Sequence, residues 1–225
     1  MCRGLATARP ADVRQWRVLI FAPMTASPKN AHAEKAAVRV VKIALRRKLS
    51  ELEAGAAAEN AAEHAMQLLG DVAGKIVSLY MPIQGELKLG PLADRLRKAG
   101  ALLALPRVFS GDEPMTFRAW RADDPLAKGF GGIREPDPSA PVVTPDIVVV
   151  PLAAFDRRGF RIGYGKGHFD RTLAPLAREE RPLTLGYAFA LQEVEEVPRE
   201  LHDVPLDAVV TETEIIRCNL ARIGI

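Results

Sequence analysis

The sequence predicts an α/β protein: one domain, a layered sheet with helices packed on it. Three observations carry that prediction. Residues 32–52 show a helical hydrophobic period, and beyond them short β-rich runs alternate with further helical patterns. Within Asp146–Val150, the run Ile-Val-Val-Val is apolar without alternation, as in a parallel strand covered on both faces. The length, 225 residues, and an ordinary composition (48% hydrophobic, 26% charged) suit one large core rather than a disordered or disulfide-stapled chain.

In chain order, residues 1–30 have no clean period and set Arg3, Arg9, Arg14 and Arg17 against the single acid Asp12. Three readings stay open for this front: a disordered extension, an upstream start with Met24 as the true initiator, or a transit-like presequence. From His32 a helix is expected, with Val38, Val41, Leu45, Leu49 and Leu52 on one stripe that should be its buried face. Lys35, Arg39, Lys42 and Arg46 form a second stripe about 90° away at ~100° per residue. These cations read either as a solvated face or as a rim that meets an anion.

An Ala-rich helix is expected near 56–69, then a strand over Lys75–Tyr80 and a loop over Pro82–Gly90. A helix over Leu92–Ala99 should end at Gly100. Ala101–Leu105 reads as a strand stopped by Pro106, and Met115–Trp120 as another. A Pro/Gly-rich excursion over 122–145 leads to the strand Asp146–Val150. Phe169–Arg178 is expected to be helical, Leu183–Phe189 and Ala208–Thr211 to be strands, and Ile215–Cys218 to be a short last one.

Composition excludes several classes. The two cysteines, Cys2 and Cys218, lie at opposite ends, which argues against a disulfide framework or a structural zinc and fits a reducing cytoplasm. No apolar run approaches the roughly 20 residues needed to cross a bilayer, so no membrane partner is expected. Net charge is +3, yet residues 1–50 hold eleven Lys/Arg and two acids, leaving the rest mildly acidic. A basic front on such a body suggests an anionic ligand or a targeting segment. An aromatic content of 6% argues against stacking platforms for nucleic acid.

The richest stretch runs from Pro145 to Arg171. A buried strand leads into a loop that reaches Gly163, Gly165 and Gly167 just before a helix. In α/β sheets ligands sit beyond the carboxyl ends of strands. Alternating glycines let backbone N–H groups converge on phosphate oxygens, and a following helix N-terminus adds positive potential. Lys166 adds a mobile cation. The spacing is neither a Walker A nor a dinucleotide fingerprint, and read alone it is either a phosphate site or a set of turns.

Taken together, Lys35/Arg39, Tyr80-Met-Pro-Ile-Gln-Gly-Glu86, Pro145 through Arg171, Gly186–Phe189, Pro198, His202-Asp203 and Asp207–Thr211 resemble the 5-formyltetrahydrofolate cyclo-ligase family over roughly residues 35–212. The resemblance implies a single-domain three-layer α/β/α sandwich with a mainly parallel sheet, a catalytic domain over 35–225 and an appended front over 1–34. It implies ATP- and Mg²⁺-dependent conversion of 5-formyltetrahydrofolate to 5,10-methenyltetrahydrofolate, yielding ADP and phosphate. Phosphorylation of the formyl oxygen turns a poor electrophile with a hopeless leaving group into one that a neighbouring folate amine can close upon.

Residue by residue, the resemblance implies ATP contacts from Lys35, Arg39, Arg161, Ile162, Gly163, Tyr164, Gly165, Lys166, Gly167, His168 and Phe169. It implies folate contacts from Met81, Glu86 and Tyr164–His168 (Gly165, Lys166 and Gly167 included), and Mg²⁺ ligands Asp170 and Asp203. Lys166 and Arg161 are the catalytic candidates. Lys42 and Arg46 have no counterpart in that set and are expected to be solvated. Asp170 also reads as a helix cap, and Asp156 as a brace for its loop. His168-Phe169 departs from the Tyr-Tyr of many relatives, which puts any role for a tyrosyl hydroxyl there in doubt. A monomer in the cytoplasm is expected, with organellar targeting by residues 1–34 left open. The rivals are a non-catalytic binding relative, an RNA-associated protein with a basic arm, and another ATP-dependent ligase on the same fold.

Overall fold

The computed structural model describes residues 31–109, 113–176, 181–200 and 203–223. The expectations for residues 1–30 and for His202 lie outside them. The described chain begins with α1 (Ala31–Arg46) and α2 (Glu51–Leu69), then β1 (Ile76–Ser78), α3 (Gly90–Lys98), β2 (Leu102–Arg107) and β3 (Thr116–Ala119). Next come β4 (Leu126–Lys128), β5 (Arg134–Pro136), β6 (Val142–Val143), β7 (Ile147–Val150), β8 (Ala154–Phe155), β9 (Arg161–Ile162) and α4 (His168–Leu176). The chain closes through β10 (Leu183–Tyr187), β11 (Ala208–Val210), β12 (Ile215–Arg217) and α5 (Leu220–Ile223).

The main sheet runs β12-β11-β10-β7-β1-β2-β3-β6. Its centre is parallel: β7 lies between β1 and β10, with Ile147 opposite both Val77 and Leu183, while β2 and β11 flank them. The antiparallel strands β12, β3 and β6 extend the two sides. Pleating sorts β7 between two cores: Ile147 and Val149 join the side chains of α2 and α3, and Val148 and Val150 join Leu173 of α4. Helices on both faces of a mainly parallel sheet make the layered α/β fold that the alternation predicts.

Two starts differ from expectation for local reasons. Helix α2 begins at Glu51, earlier than residue 56, because Ser50 and Glu53 form a capping box: Glu53 N donates to Ser50 Oγ at 3.3 Å and Ser50 N to Glu53 Oε2 at 2.8 Å. Its Ala57, Ala58, Ala61, Ala62 and Ala65 are buried, so small side chains bring the helix close to the sheet. The loop expected between β7 and the glycines contains the β8–β9 hairpin, turned through Gly159 (φ 87°). Leu206 O lies 2.5 Å from where a Cβ on Gly159 would sit, so only glycine fits. The excursion over 122–145 likewise holds the β4–β5 hairpin and β6.

Helix α1 contradicts the expected facing. Val41 and Leu45 are exposed, Leu52 is 84% exposed, and the buried residues of α1 are Ala31, Lys35 and Arg46. The basic stripe faces the protein. Lys42 Nζ donates to Leu191 O and Glu193 O, both at 2.8 Å, and Arg46 donates to Gln84 O at 3.1 Å and Leu152 O at 3.0 Å. Arg46 is buried and Lys42 half-buried with its ammonium on two carbonyls, which corrects the expectation that both are solvated. These carbonyls belong to loops leaving the carboxyl ends of β10, β1 and β7. Helix α1 therefore lies across the end of the sheet where α/β proteins place their ligands. Unpaired loop carbonyls offer a cationic face partners that an apolar face cannot use.

At the amino ends, aspartates of the sequence motif serve the framework. Asp146 accepts from Ile76 N at 2.7 Å. Buried Asp207 accepts from Thr184 N at 2.9 Å and Thr184 Oγ1 at 2.8 Å, and pairs with Arg222 at 3.2 Å.

Candidate active site

Strand β9 delivers the glycine segment to the inner side of α1. Arg39 Nε donates to Gly163 O at 2.6 Å, and a Cβ on Gly165 would lie 3.5 Å from Arg39 Nη2. Two segments 124 residues apart in sequence thus meet at one place. Gly165 (φ 82°) and Gly167 (φ 65°) take left-handed backbone, and a Cβ on Gly167 would come within 2.9 Å of Arg171 Nη1. Gly163 has ordinary φ and open space around it. Lys166 is exposed, and its ammonium has no partner among the described residues. Arg171, which the sequence reading left without a role, donates from Nη2 to Lys166 O at 2.7 Å and so braces the loop from α4.

Beside this loop stands a line of alternating charges. Arg161 donates from Nη2 to Asp170 Oδ1 at 2.6 Å and from Nη1 to Val204 O at 2.9 Å. One residue before Val204, Asp203 Oδ2 accepts from Lys35 Nζ at 2.6 Å, and Glu200 Oε2 accepts from the same ammonium at 2.9 Å. Burial works against the Lys35 charge, but the hydrogen bonds and attraction of Asp203 and Glu200 outweigh it and raise its pKa. Both expected metal carboxylates are therefore matched, in this state, with cations from the expected ATP set. Glu200 was missed by the sequence reading; Pro198-x-Glu200-x-x-Asp203 was its only signal. Asp170 is the third residue of α4, not its cap, and its Oδ2 has no partner among the described residues.

The expected folate residues lie on the other side of the glycine loop. Tyr164 Oη donates to Glu86 Oε1 at 2.7 Å, while Glu86 Oε2 accepts from Ile83 N at 2.8 Å. Glu86 is buried, and burial raises its carboxyl pKa against the pull of Tyr164, the Ile83 N–H and Arg46. Met81 packs beside the α2–α3 core. Ile162 is buried with Ala153, Ala154 and Val197, so only its backbone is available to a nucleotide. Phe169 packs on the α4 side of the sheet, and the His168 ring meets Phe130 edge-on at 5.7 Å. Buried Asp156 accepts from Arg158 N at 2.9 Å and Val197 N at 3.0 Å, the bracing role expected of it.

One cleft of the described residues lies elsewhere. About 330 Å³ in volume, it is lined by Ile76, Leu102 and Trp120 at the amino ends of β1 and β2. Converging chemistry, rather than concavity, locates the site.

Asp170 and Asp203 are hard oxygen donors suited to Mg²⁺. Among the described residues no three His, Cys, Asp or Glu side chains are grouped to hold a metal. Mg²⁺ usually takes one or two carboxylates and completes its shell with water and phosphate oxygens.

The chain is similar to known proteins of one family. A family model described as the 5-formyltetrahydrofolate cyclo-ligase family matches residues 31–212. A 5-formyltetrahydrofolate cyclo-ligase of Haemophilus influenzae is 31% identical over 167 residues, covering 72% of this chain and 89% of that protein. The solution structure of Aquifex aeolicus 5,10-methenyltetrahydrofolate synthetase superposes with a TM-score of 0.69 at 31% identity, over 82% of this chain and 92% of its own. A 5,10-methenyltetrahydrofolate synthetase from Mycoplasma pneumoniae, 22% identical, shares the fold with a TM-score of 0.65 over 80% of this chain and 99% of its own. The matched span contains every site residue named above, and the chain belongs to the 5-formyltetrahydrofolate cyclo-ligase family.

Proposed function

We propose that the glycine loop and the amino-terminal half of α1 bind ATP, that Asp170 and Asp203 hold Mg²⁺, and that Glu86, Met81 and Tyr164 receive the folate. The family reaction converts 5-formyltetrahydrofolate to 5,10-methenyltetrahydrofolate at the expense of ATP. One observation carries the assignment of sites: Arg39 stands on Gly163 and Gly165, joining the basic stripe to the phosphate-type loop.

The γ-phosphoryl group passes to the formyl oxygen and ADP leaves. The neighbouring folate amine then attacks the formyl carbon, and the oxygen departs with phosphate. For the protein this is positioning and charge neutralisation. Gly165 and Gly167 open the backbone to phosphate oxygens, and Arg39 sets the edge of that cradle. Lys166, exposed and without a partner among the described residues, can follow the phosphoryl group as its charge redistributes. Bound Mg²⁺ supplies further neutralisation of the phosphates. Lys35 and Arg161, which hold Asp203 and Asp170 here, can turn to phosphate as those carboxylates turn to the metal. Glu86 keeps lone pairs for the amino and ring N–H donors of a pterin. All these groups come from a single chain, so a monomer suffices.

The test is the absorbance of methenyl product formed from 5-formyltetrahydrofolate with and without ATP. Product only with ATP is expected; none under any condition would sink the proposal. Asp170→Asn and Asp203→Asn should each shift the Mg²⁺ requirement upward in that assay, and Mg²⁺ curves overlaying wild type would remove both residues from the metal site. Lys166→Ala should lower turnover more than ATP affinity.

A further inference from the structure

We propose that Arg46 is a positioning residue that sets the folate-receiving Glu86 against the phosphate loop, through Tyr164. This inference rests on the site assignment above and adds a residue that assignment does not contain.

Arg46 is fully buried, and its donors are spent on three segments. On the Tyr80–Leu89 side, Nε donates to Gln84 O at 3.1 Å and Nη2 to Ile83 O at 3.4 Å. Toward the strand exit, Nη1 donates to Leu152 O at 3.0 Å. Nη2 also donates to Tyr164 Oη, whose own proton goes to Glu86 Oε1 at 2.7 Å. The guanidinium lies 5.7 Å from the centre of the Tyr164 ring. Arg46 and Glu86 are 3.9 Å apart, so the tyrosyl hydroxyl is the link between the two charges. The sequence Arg46–Tyr164–Glu86 runs from α1, through the glycine loop, to the loop after β1.

Chemistry argues for more than packing. Burying a guanidinium costs several kcal/mol, and an apolar side chain of similar volume often stabilises as well. Here Nε and Nη2 fix atoms around Glu86, while Nη1 anchors the guanidinium at the exit of β7. Ile83, whose carbonyl Arg46 holds, uses its N–H to hold Glu86 Oε2 at 2.8 Å. Gln84 (φ 50°) and Gly85 (φ 74°) take left-handed backbone in the same turn, a shape that needs holding. Both Glu86 oxygens are thereby oriented, one through Ile83 and one through Tyr164, and both depend on Arg46. Misplacing a positioning contact by about 1 Å can cost 100-fold in rate.

The experiment compares Arg46→Met, Arg46→Lys, Tyr164→Phe and the Arg46→Met/Tyr164→Phe double variant in the methenyl-forming assay, with denaturant midpoints measured alongside. Arg46→Met should lower kcat/KM for 5-formyltetrahydrofolate at least tenfold while the KM for ATP stays within twofold. Adding Tyr164→Phe to it should change kcat/KM by less than threefold, although Tyr164→Phe alone is costly, because the two act through one hydroxyl. Arg46→Lys should recover part of the loss. A lowered midpoint with folate kinetics unchanged would reduce Arg46 to a packing role, and multiplicative losses in the double variant would break the relay. Should Arg46→Met fail to fold, Arg46→Lys decides: a folded lysine variant with wild-type folate kinetics overturns the inference. Wild type that forms no product overturns the site assignment instead.

Discussion

The two halves of α1 carry the same residue types on the same stripe and do opposite things. In the first half, Lys35 is held by the carboxylates of Asp203 and Glu200, and its pKa is raised because they outweigh burial. In the second half, Lys42 rests on two carbonyls, and its pKa is lowered because burial outweighs the attraction of Glu193. A cation among carboxylates at a rim is balanced by groups that can exchange it for phosphate or metal. Lys42, whose ammonium is spent on the carbonyls of Leu191 and Glu193, has nothing to exchange and serves as a clamp. The partner, not the side chain, separates the proposed binding end of the stripe from its framework end.

That contrast can be broken most directly at Arg46. Arg46→Ala leaves Glu86 buried without its charge partner, and a stability loss of about 3–5 kcal/mol is expected in denaturant melts. Lys35→Ala, at the other end, should lose far less; equal losses would erase the distinction. Next in size, Lys35→Ala and Arg39→Ala should each raise the apparent ATP requirement about 10- to 150-fold, from roughly 1.5–3 kcal/mol of charge-assisted hydrogen bonding. Folate affinity suffering alone would show that the first half does not meet the nucleotide. Lys42→Met should cost about 1–2 kcal/mol of stability, since two loop carbonyls lose their donor, with both substrate requirements unchanged.

The smallest effect sharpens the clamp by its pH dependence. Glu86 has a folded-state pKa above the ordinary 4.5, because burial disfavours its charge. Between 4.5 and that raised value the native protein binds more protons than the unfolded chain, so stability falls as pH rises through the window. Glu86→Gln should flatten that slope, and Arg46→Lys should leave it in place. A slope unchanged in Glu86→Gln would assign the titration to another group.

Much of this fold was legible in the sequence. Ile147–Val150 had no polar alternation because β7 is covered on both faces, and Gly100 marked the end of α3 because its φ of 83° excludes most side chains. The glycine loop and its cations were legible for the same kind of reason: left-handed backbone and fixed charge are properties of residues. Other elements were not. Two-residue strands such as β8 and β9 are too short to show a period, and they exist because Asp156 and Gly159 close their turn against Val197 and Leu206.

Local chemistry therefore determined the longer strands, the turns, the glycine loop and the family. Only the tertiary structure decided which way α1 faces, since Val41 and Leu45 make as good a helical stripe as Lys42 and Arg46. A hydrophobic period says which side chains could share a face. It does not count the carbonyls and carboxylates that distant loops bring to the other one. Leu152, Ile83 and Leu191 supply those oxygens from three separate strand exits, and their sum, invisible along the chain, turned the basic stripe inward.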